Sequence, residues 1–274
     1  MNVGYLVHLE GDPYPAIREA AEMGFHQGQL SVWDMSLHTP EGAERILSAC
    51  RDFDFTVTAV WCGWTGHADW SYPRMYKTLG LVSEEFRERR EKEILGGAAL
   101  AARIGVKDII THIGYLPDDP CDPTHIAVVE AARRICEEIS KNGQHFLFET
   151  GEMIPTTLIR FMCEIGCPNV GVNLDPANFV INGRANPTDA ARRLAPYIRG
   201  MHAKDALHPV GIAPKGKEVK LGEGVVDFSA ILSTLKKEGR DIPVTIEYEV
   251  KNTPDRRAEL ISSRLYLEEL IAAL

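Results

Sequence analysis

Short apolar runs recur along the chain, and each is followed by a longer stretch with helical spacing. VGYLVHL (3–9) precedes a helical stretch near 13–24 that Gly24 closes. GQLSVWD (28–34) precedes 40–52, and TVTAVWCGW (56–64) precedes a long charged stretch at about 83–104. Ser83 is the expected N-cap of that helix, and Glu84 and Glu85 suit its positive start. DIITHIG (108–114) leads to 123–141, closed by Asn142 and Gly143. HFLFET (145–150) leads to 155–165, and VGVNLD (170–175) to 187–196. IRGMHAKD (198–205) is followed by a longer connection and then 228–238; PVTIEYEV (243–250) leads to the last helix, 254–273. Strands alternating with helices predict a parallel sheet with right-handed crossovers. Eight such units at this length favour a closed (β/α)8 TIM barrel over an open doubly wound sheet. No GxGxxG follows the first strand, which weakens a dinucleotide-binding reading. Without a linker or a low-complexity tract, 1–274 reads as one catalytic domain.

Four consecutive runs end in chemistry. FLFETGE, VNLDPAN, GMHAKD and TIEYEV bring Glu149, Asp175, His202 and Glu247 to the C-terminal ends of neighbouring strands. The first two intervals between these residues each match one βα unit; the third contains the longer connection. In a parallel barrel those ends share one rim, so the four can converge on one point. Three carboxylates and an imidazole suit Mn2+, Mg2+ or Co2+ better than a structural Zn2+ site, which prefers thiolates. With four protein ligands, an octahedral ion keeps two positions for vicinal oxygens of a substrate.

Bulk properties narrow the partners. The net charge of −9 argues against broad nucleic-acid or membrane-surface binding. None of the six cysteines forms a CxxC, and packing is the default reading for them. The N-terminal residues lack a basic region and a cleavage site, and no apolar run reaches the roughly 20 residues of a membrane helix. The expectation is a cytoplasmic protein with a small-molecule substrate. Two connections exceed the rest, 64–82 and 206–226, and both belong to the rim that carries the four residues.

The motifs FETGE, NLDPAN, GMHAKD, LGEGVVDF and TIEYE resemble those of the xylose isomerase-like TIM barrel superfamily, in its sugar phosphate isomerase/epimerase branch. The resemblance runs from the first strand to the last helix. It implies that Glu149, Asp175, His202 and Glu247 hold one divalent metal ion, Mn2+ first, with Mg2+, Co2+ and Zn2+ as alternatives. It also implies that Glu149 and Glu247 are the acid/base pair on opposite faces of a bound sugar. Two positions depart from the family pattern: Asn178 stands where many epimerases have His, and His208 where Arg is common. The superfamily includes trinuclear-zinc DNA-repair endonucleases, whose extra histidines have no counterpart at Trp64, Asn178 and Lys215.

Other residues share the rim. His112 reads as a proton relay or a ligand of a substrate oxygen, against a histidine that only hydrogen-bonds a neighbouring ligand side chain. His8, Trp61, Trp64, Glu152, Asn178, Lys204 and His208 are the expected substrate contacts, with core packing, ion pairing or capping as the bland alternatives; indole faces stack well on sugar rings. His145 begins its strand too deep to reach the metal. Lys215, Lys217 and Lys220 with Gly222-Glu223-Gly224 form either a phosphate cradle or a solvated run before a turn. The expected function is a divalent-metal-dependent isomerase/epimerase of a sugar, sugar phosphate or keto-polyol, working through an enediolate. The alternatives are a lyase or dehydratase using the same enolate, as in β-elimination from a 3-keto-glycoside, and a non-catalytic sugar-binding barrel. The apolar positions of the last helix pack by default on the barrel and otherwise on a second copy in a homo-oligomer.

Overall fold

A computed structural model describes residues 1–251 and 253–274. In chain order the first half contains β1 (Val3–Leu9), α1 (Pro13–Glu22), β2 (Gln27–Val32), α2 (Pro40–Asp52), β3 (Thr56–Cys62), α3 (Met75–Thr78), α4 (Arg87–Arg103), β4 (Asp108–Thr111) and α5 (Pro123–Ser140). The second half contains β5 (His145–Glu149), α6 (Pro155–Ile165), β6 (Val170–Leu174), α7 (Pro176–Asn182), α8 (Pro187–Leu194), β7 (Ile198–Ala203), β8 (Asp205–Leu207), β9 (Lys217–Val219), α9 (Phe228–Lys237), β10 (Val244–Ile246) and α10 (Arg256–Ala272). Eight strands close in the order β1-β10-β7-β6-β5-β4-β3-β2, a (β/α)8 TIM barrel. β8 and β9 form a separate antiparallel hairpin.

Alternation along the strands decides what reaches the site. Leu6, Ala59, Trp61, Ile110 and Leu147 form their own buried cluster inside the barrel. The intervening Val7, Val60, Ile109, Phe146 and Phe148 belong to the larger core beneath the helices. Burying each of these larger side chains contributes roughly 1.5–3 kcal/mol. The inward phase continues two residues further along the strands, so His8, His112 and Glu149 stand above the inner cluster.

Helix starts follow local chemistry. Asp12, Thr39, Asp122, Asp175 and Asn186 each cap a helix through the side chain, and each precedes proline. Proline at the first helical position lacks only a donor that would be orphaned there anyway.

The structure corrects three expected boundaries. Ser83 does not cap the long helix: it ends a 3-10 turn, Gly80–Val82, and α4 begins at Arg87 after Phe86. Glu84 and Glu85 therefore precede its first turn. The seven-residue α7 was hidden because Asp175-Pro176 opens a helix directly from the strand end. The last strand stops at Ile246, although the Glu247 N–H still donates to the Ala203 carbonyl at 3.2 Å.

The two long connections are each fastened at the base by one buried charge. Arg90, fully buried on α4, donates to the carbonyls of Thr65 (3.1 Å), His67 (2.9 Å), Thr78 (2.8 Å) and Gly80 (2.7 Å). Its guanidinium also lies 4.0 Å from the centre of the Trp64 ring. Both ends of the β3 connection are thereby held to one side chain. Asp205 does the converse after β7. Its carboxylate accepts from the N–H groups of Ala206 (2.8 Å), Gly222 (3.0 Å), Gly224 (2.9 Å) and Val226 (3.1 Å). Gly224 is required, since a Cβ there would lie 2.0 Å from Asp205 Oδ1. These amides are committed to Asp205, which favours the turn reading of Gly222-Glu223-Gly224 over a phosphate cradle.

Candidate active site

Glu149 ends β5, Asp175 follows β6, His202 lies in β7 and Glu247 follows β10. All four are buried, and one ligand atom from each lies within 4.8 Å of the others. His202 is central. Its Nδ1 is 2.9 Å from Glu247 Oε2, 3.1 Å from Glu149 Oε1 and 3.9 Å from Asp175 Oδ2. Its Nε2 meets Gln29 Oε1 at 2.7 Å, and Gln29 donates in turn to Asn173 Oδ1 at 3.0 Å. With that amide orientation, Nε2–H is the donor to Gln29 and Nδ1 faces the carboxylates.

Asp175 divides its two oxygens between fold and site. Oδ1 accepts from the Asn178 N–H at 2.9 Å and caps α7. Oδ2 is buried without a hydrogen-bond partner, a costly arrangement for a lone carboxylate oxygen. The Thr150 hydroxyl binds both the N–H and the carbonyl of Asp175, fixing its backbone. An orphaned oxygen aimed into a cluster of three acids and an imidazole fits a divalent cation. Glu149, Asp175, His202 and Glu247 are the residues that could hold it. The donor types suit Mn2+, Mg2+ or Co2+ without selecting among them.

The charges around this cluster are strongly displaced. Burial, with Glu247 and Glu149 adding to it and Lys204 opposing it, holds the Asp175 carboxyl well above its ordinary pKa. Burial also works against Glu247, but Lys204 and His202 hold that carboxyl well below the usual range. His202 is raised despite burial because Glu149 and Glu247 flank it.

A second set of groups touches the first. His112 Nε2 is 3.5 Å from Glu149 Oε2, and its Nδ1 is 2.6 Å from Glu152 Oε1. Burial disfavours charge on His112, yet these two carboxylates raise its pKa to about 9. Lys204 Nζ lies 3.3 Å from Glu247 Oε2 and 2.6 Å from Glu249 Oε2. Asn178 Nδ2 donates to Glu149 Oε1 at 3.3 Å, and the Trp61 indole N–H donates to Glu149 Oε2. Gly151 lets Glu152 follow Glu149 so closely. Its φ is +136°, and a Cβ would lie 2.3 Å from Asn178 Cβ.

A cavity of about 430 Å3 opens over these groups. Of the expected contacts, His8, Trp61, His112, Glu152, Asn178 and Lys204 line it. Trp64 does not: it is 2% exposed and lies behind the wall, under the Arg90 guanidinium. His208 does not either. It follows β8, which turns into the hairpin, and is exposed away from the cavity lining. His145 pairs instead with Asp108 at 2.9 Å. Gln29, Trp33, Trp70, Tyr115 and Glu249 went unnoticed in the sequence. Gln29 carried a signal, as a polar residue within a strand expected to be buried, and Trp33 follows Ser31 on the same strand phase.

A closed parallel barrel with acids and a histidine gathered at its C-terminal rim is an enzyme-like architecture. The sequence pattern of the xylose isomerase-like TIM barrel family matches residues 17–270, and the chain belongs to that family. A xylose isomerase domain protein from Planctomyces limnophilus is 30% identical, with a TM-score of 0.92 over 99% of both chains. The 3-keto-D-glucoside 4-epimerase YcjR from E. coli has the same fold at 18% identity, with a TM-score of 0.72 over 98% of this chain and 99% of that one. YihM of Escherichia coli K12, described as uncharacterized, is 30% identical over 123 residues, 43% of this chain and 37% of that relative. Among the described residues, no helix is long and apolar enough to cross a membrane.

Proposed function

We propose that the protein is a divalent-metal-dependent isomerase or epimerase of a sugar or related keto-polyol. The observation that supports this most is the convergence of Glu149 and Glu247 on one histidine nitrogen, at 3.1 and 2.9 Å, each beside a separate proton-carrying neighbour. A bound divalent ion would supply Lewis-acid polarisation of a carbonyl and stabilise charge on the oxygen beside it.

The chain's own groups do the rest. In this reading Glu149, whose Oε2 faces His112, removes the proton from the carbon next to the carbonyl. His112, backed by Glu152, passes a proton to or from the substrate oxygen. Glu247, held ionised by Lys204 and His202, removes the proton on the other face in one direction, and in the other it relays to that face a proton taken from the adjoining Lys204 ammonium. Return to the opposite face of the same carbon is epimerisation; return to the neighbouring carbon is isomerisation. Asn178 and Trp61 orient Glu149 through its two oxygens. His8 and Lys204 contact substrate hydroxyls.

Proton NMR in D2O tests this with Mn2+-loaded protein and a panel of ketoses, ketose phosphates and 3-keto-glycosides. Deuterium entering next to the carbonyl, with no group lost, is the expected result. Exchange accompanied by release of an aglycone would reassign the protein as a lyase. Absence of exchange across the panel, with metal bound, would overturn enediolate chemistry on these substrates.

A further inference from the structure

The geometry points to a substrate with two rings: the sugar handled by Glu149 and Glu247 carries a second flat-faced ring that stacks on Trp33 and Trp70. This rests on the sugar reading above and specifies the class of sugar.

All four tryptophans of the chain stand in one contiguous assembly. Trp61 is the inner member, hydrogen-bonded to Glu149. Trp33 stacks on it, with ring centres 5.0 Å apart. Trp64 meets Trp33 edge-on at 5.2 Å and stacks with Trp70 at 6.4 Å. His112 lies between Trp61 and Trp70, edge-on to each at 5.4 and 5.3 Å. The assembly therefore runs from the acid/base carboxylates to the mouth of the cavity.

Its inner members are buried, and its outer members are not. Trp61 and Trp64 are 4% and 2% exposed, whereas Trp33 and Trp70 are 37% and 42% exposed and both line the cavity. Indole surface left toward water forgoes the burial gain that large aromatics otherwise supply. Here it is also held in place. Trp33 donates to Ser31 Oγ at 3.2 Å, and the segment bearing Trp70 is fastened at both ends by Arg90. A rigid aromatic face loses little entropy when a ring stacks on it. The opposite side of the mouth is charged, with Lys204, Lys215, Glu249 and Lys251. A flat apolar face opposed by polar groups suits a ring with C–H or π faces and hydroxyls at its edge. A second pyranose and an aryl aglycone share that chemistry.

The test uses full-length, Mn2+-loaded protein and 3-keto-β-D-glucosides bearing methyl, phenyl or glucosyl groups. Binding is read by calorimetry and by tryptophan fluorescence. The phenyl or glucosyl compound is expected to bind about tenfold more tightly than the methyl compound, roughly 1.4 kcal/mol. That ratio should collapse toward one in Trp70→Ala and in Trp33→Ala, and recover in part in Trp70→Phe. Preference for phenyl alone identifies an aryl substituent; preference for glucosyl alone identifies a second sugar. Equal binding of all three by the unaltered protein overturns the two-ring inference while leaving the sugar reading intact. Loss of affinity for all three in proportion, or a change of oligomeric state in Trp70→Ala, also overturns it. Binding of none, with metal bound, overturns the two-ring inference, and the sugar reading falls with it only if the ketoses and ketose phosphates of the exchange panel also fail to exchange.

Discussion

The two halves of the cavity wall differ in how they are made. The acidic half takes Glu149, Asp175, His202 and Glu247 from β5, β6, β7 and β10, at or next to the strand ends. The aromatic half takes Trp33 from beyond β2 and Trp70 from a connection that begins after β3. Strand ends are fixed by the sheet ladder, so the acids need only short supports: a cap, a threonine hydroxyl, a glutamine. The connection has no ladder, and a buried arginine replaces it with four carbonyl contacts. Position near a ladder makes precision cheap; distance from it requires a dedicated anchor.

The widest separation of the halves should come from Glu247→Gln. Turnover should fall by roughly 10²- to 10⁴-fold, the range for loss of a general acid or base. Fluorescence of the tryptophan assembly should stay unchanged. A Glu247→Gln protein that is active with metal bound would end the proton-transfer role.

Arg90→Met attacks the other half. Four buried carbonyls lose their donor, which should destabilise the fold by about 3 kcal/mol in urea titration. Affinity for Mn2+ should move far less than the tryptophan emission. Equal disturbance of both would show that the halves are not independent.

A finer cut is Gln29→Leu, which removes the partner of His202 Nε2 without touching a ligand atom. Weakening of metal binding by about 10- to 100-fold is expected. Unchanged affinity would show that β7 alone orients the imidazole.

The smallest effect is a proton count. In the metal-free protein Asp175 and His202 have raised pKa values, so both favour the protonated form. Protons therefore compete with the metal at these two groups, and affinity should fall as pH falls. Calorimetry in buffers of different ionisation enthalpy reads the release directly; no release would contradict the raised values.

The same contrast explains what the sequence revealed. The alternating pattern exposed the barrel because strand phase and crossover length are local properties. The acids were legible because each sits at the end of an apolar run. Asn178 and Lys204, which line the cavity, were legible by closeness to those acids. Trp70 was not, since a residue well beyond a strand end has no phase to follow. Trp64 was misjudged for a related reason: past Cys62 the strand rhythm stops, and Arg90, distant in sequence, decides where the ring turns. Ser83 misled because a capping residue type can close a 3-10 turn as readily as open a helix.

Arg90 also makes the segment it closes into an exchangeable cassette. With residues 65–67 and 78–80 fixed at the base, the stretch between them starts and finishes on the same side chain. Doubling the length of such a loop adds only about 0.6 kcal/mol of closure entropy. New surfaces could be inserted there, and the barrel given new clients, without disturbing the buried cluster of Glu149, Asp175, His202 and Glu247.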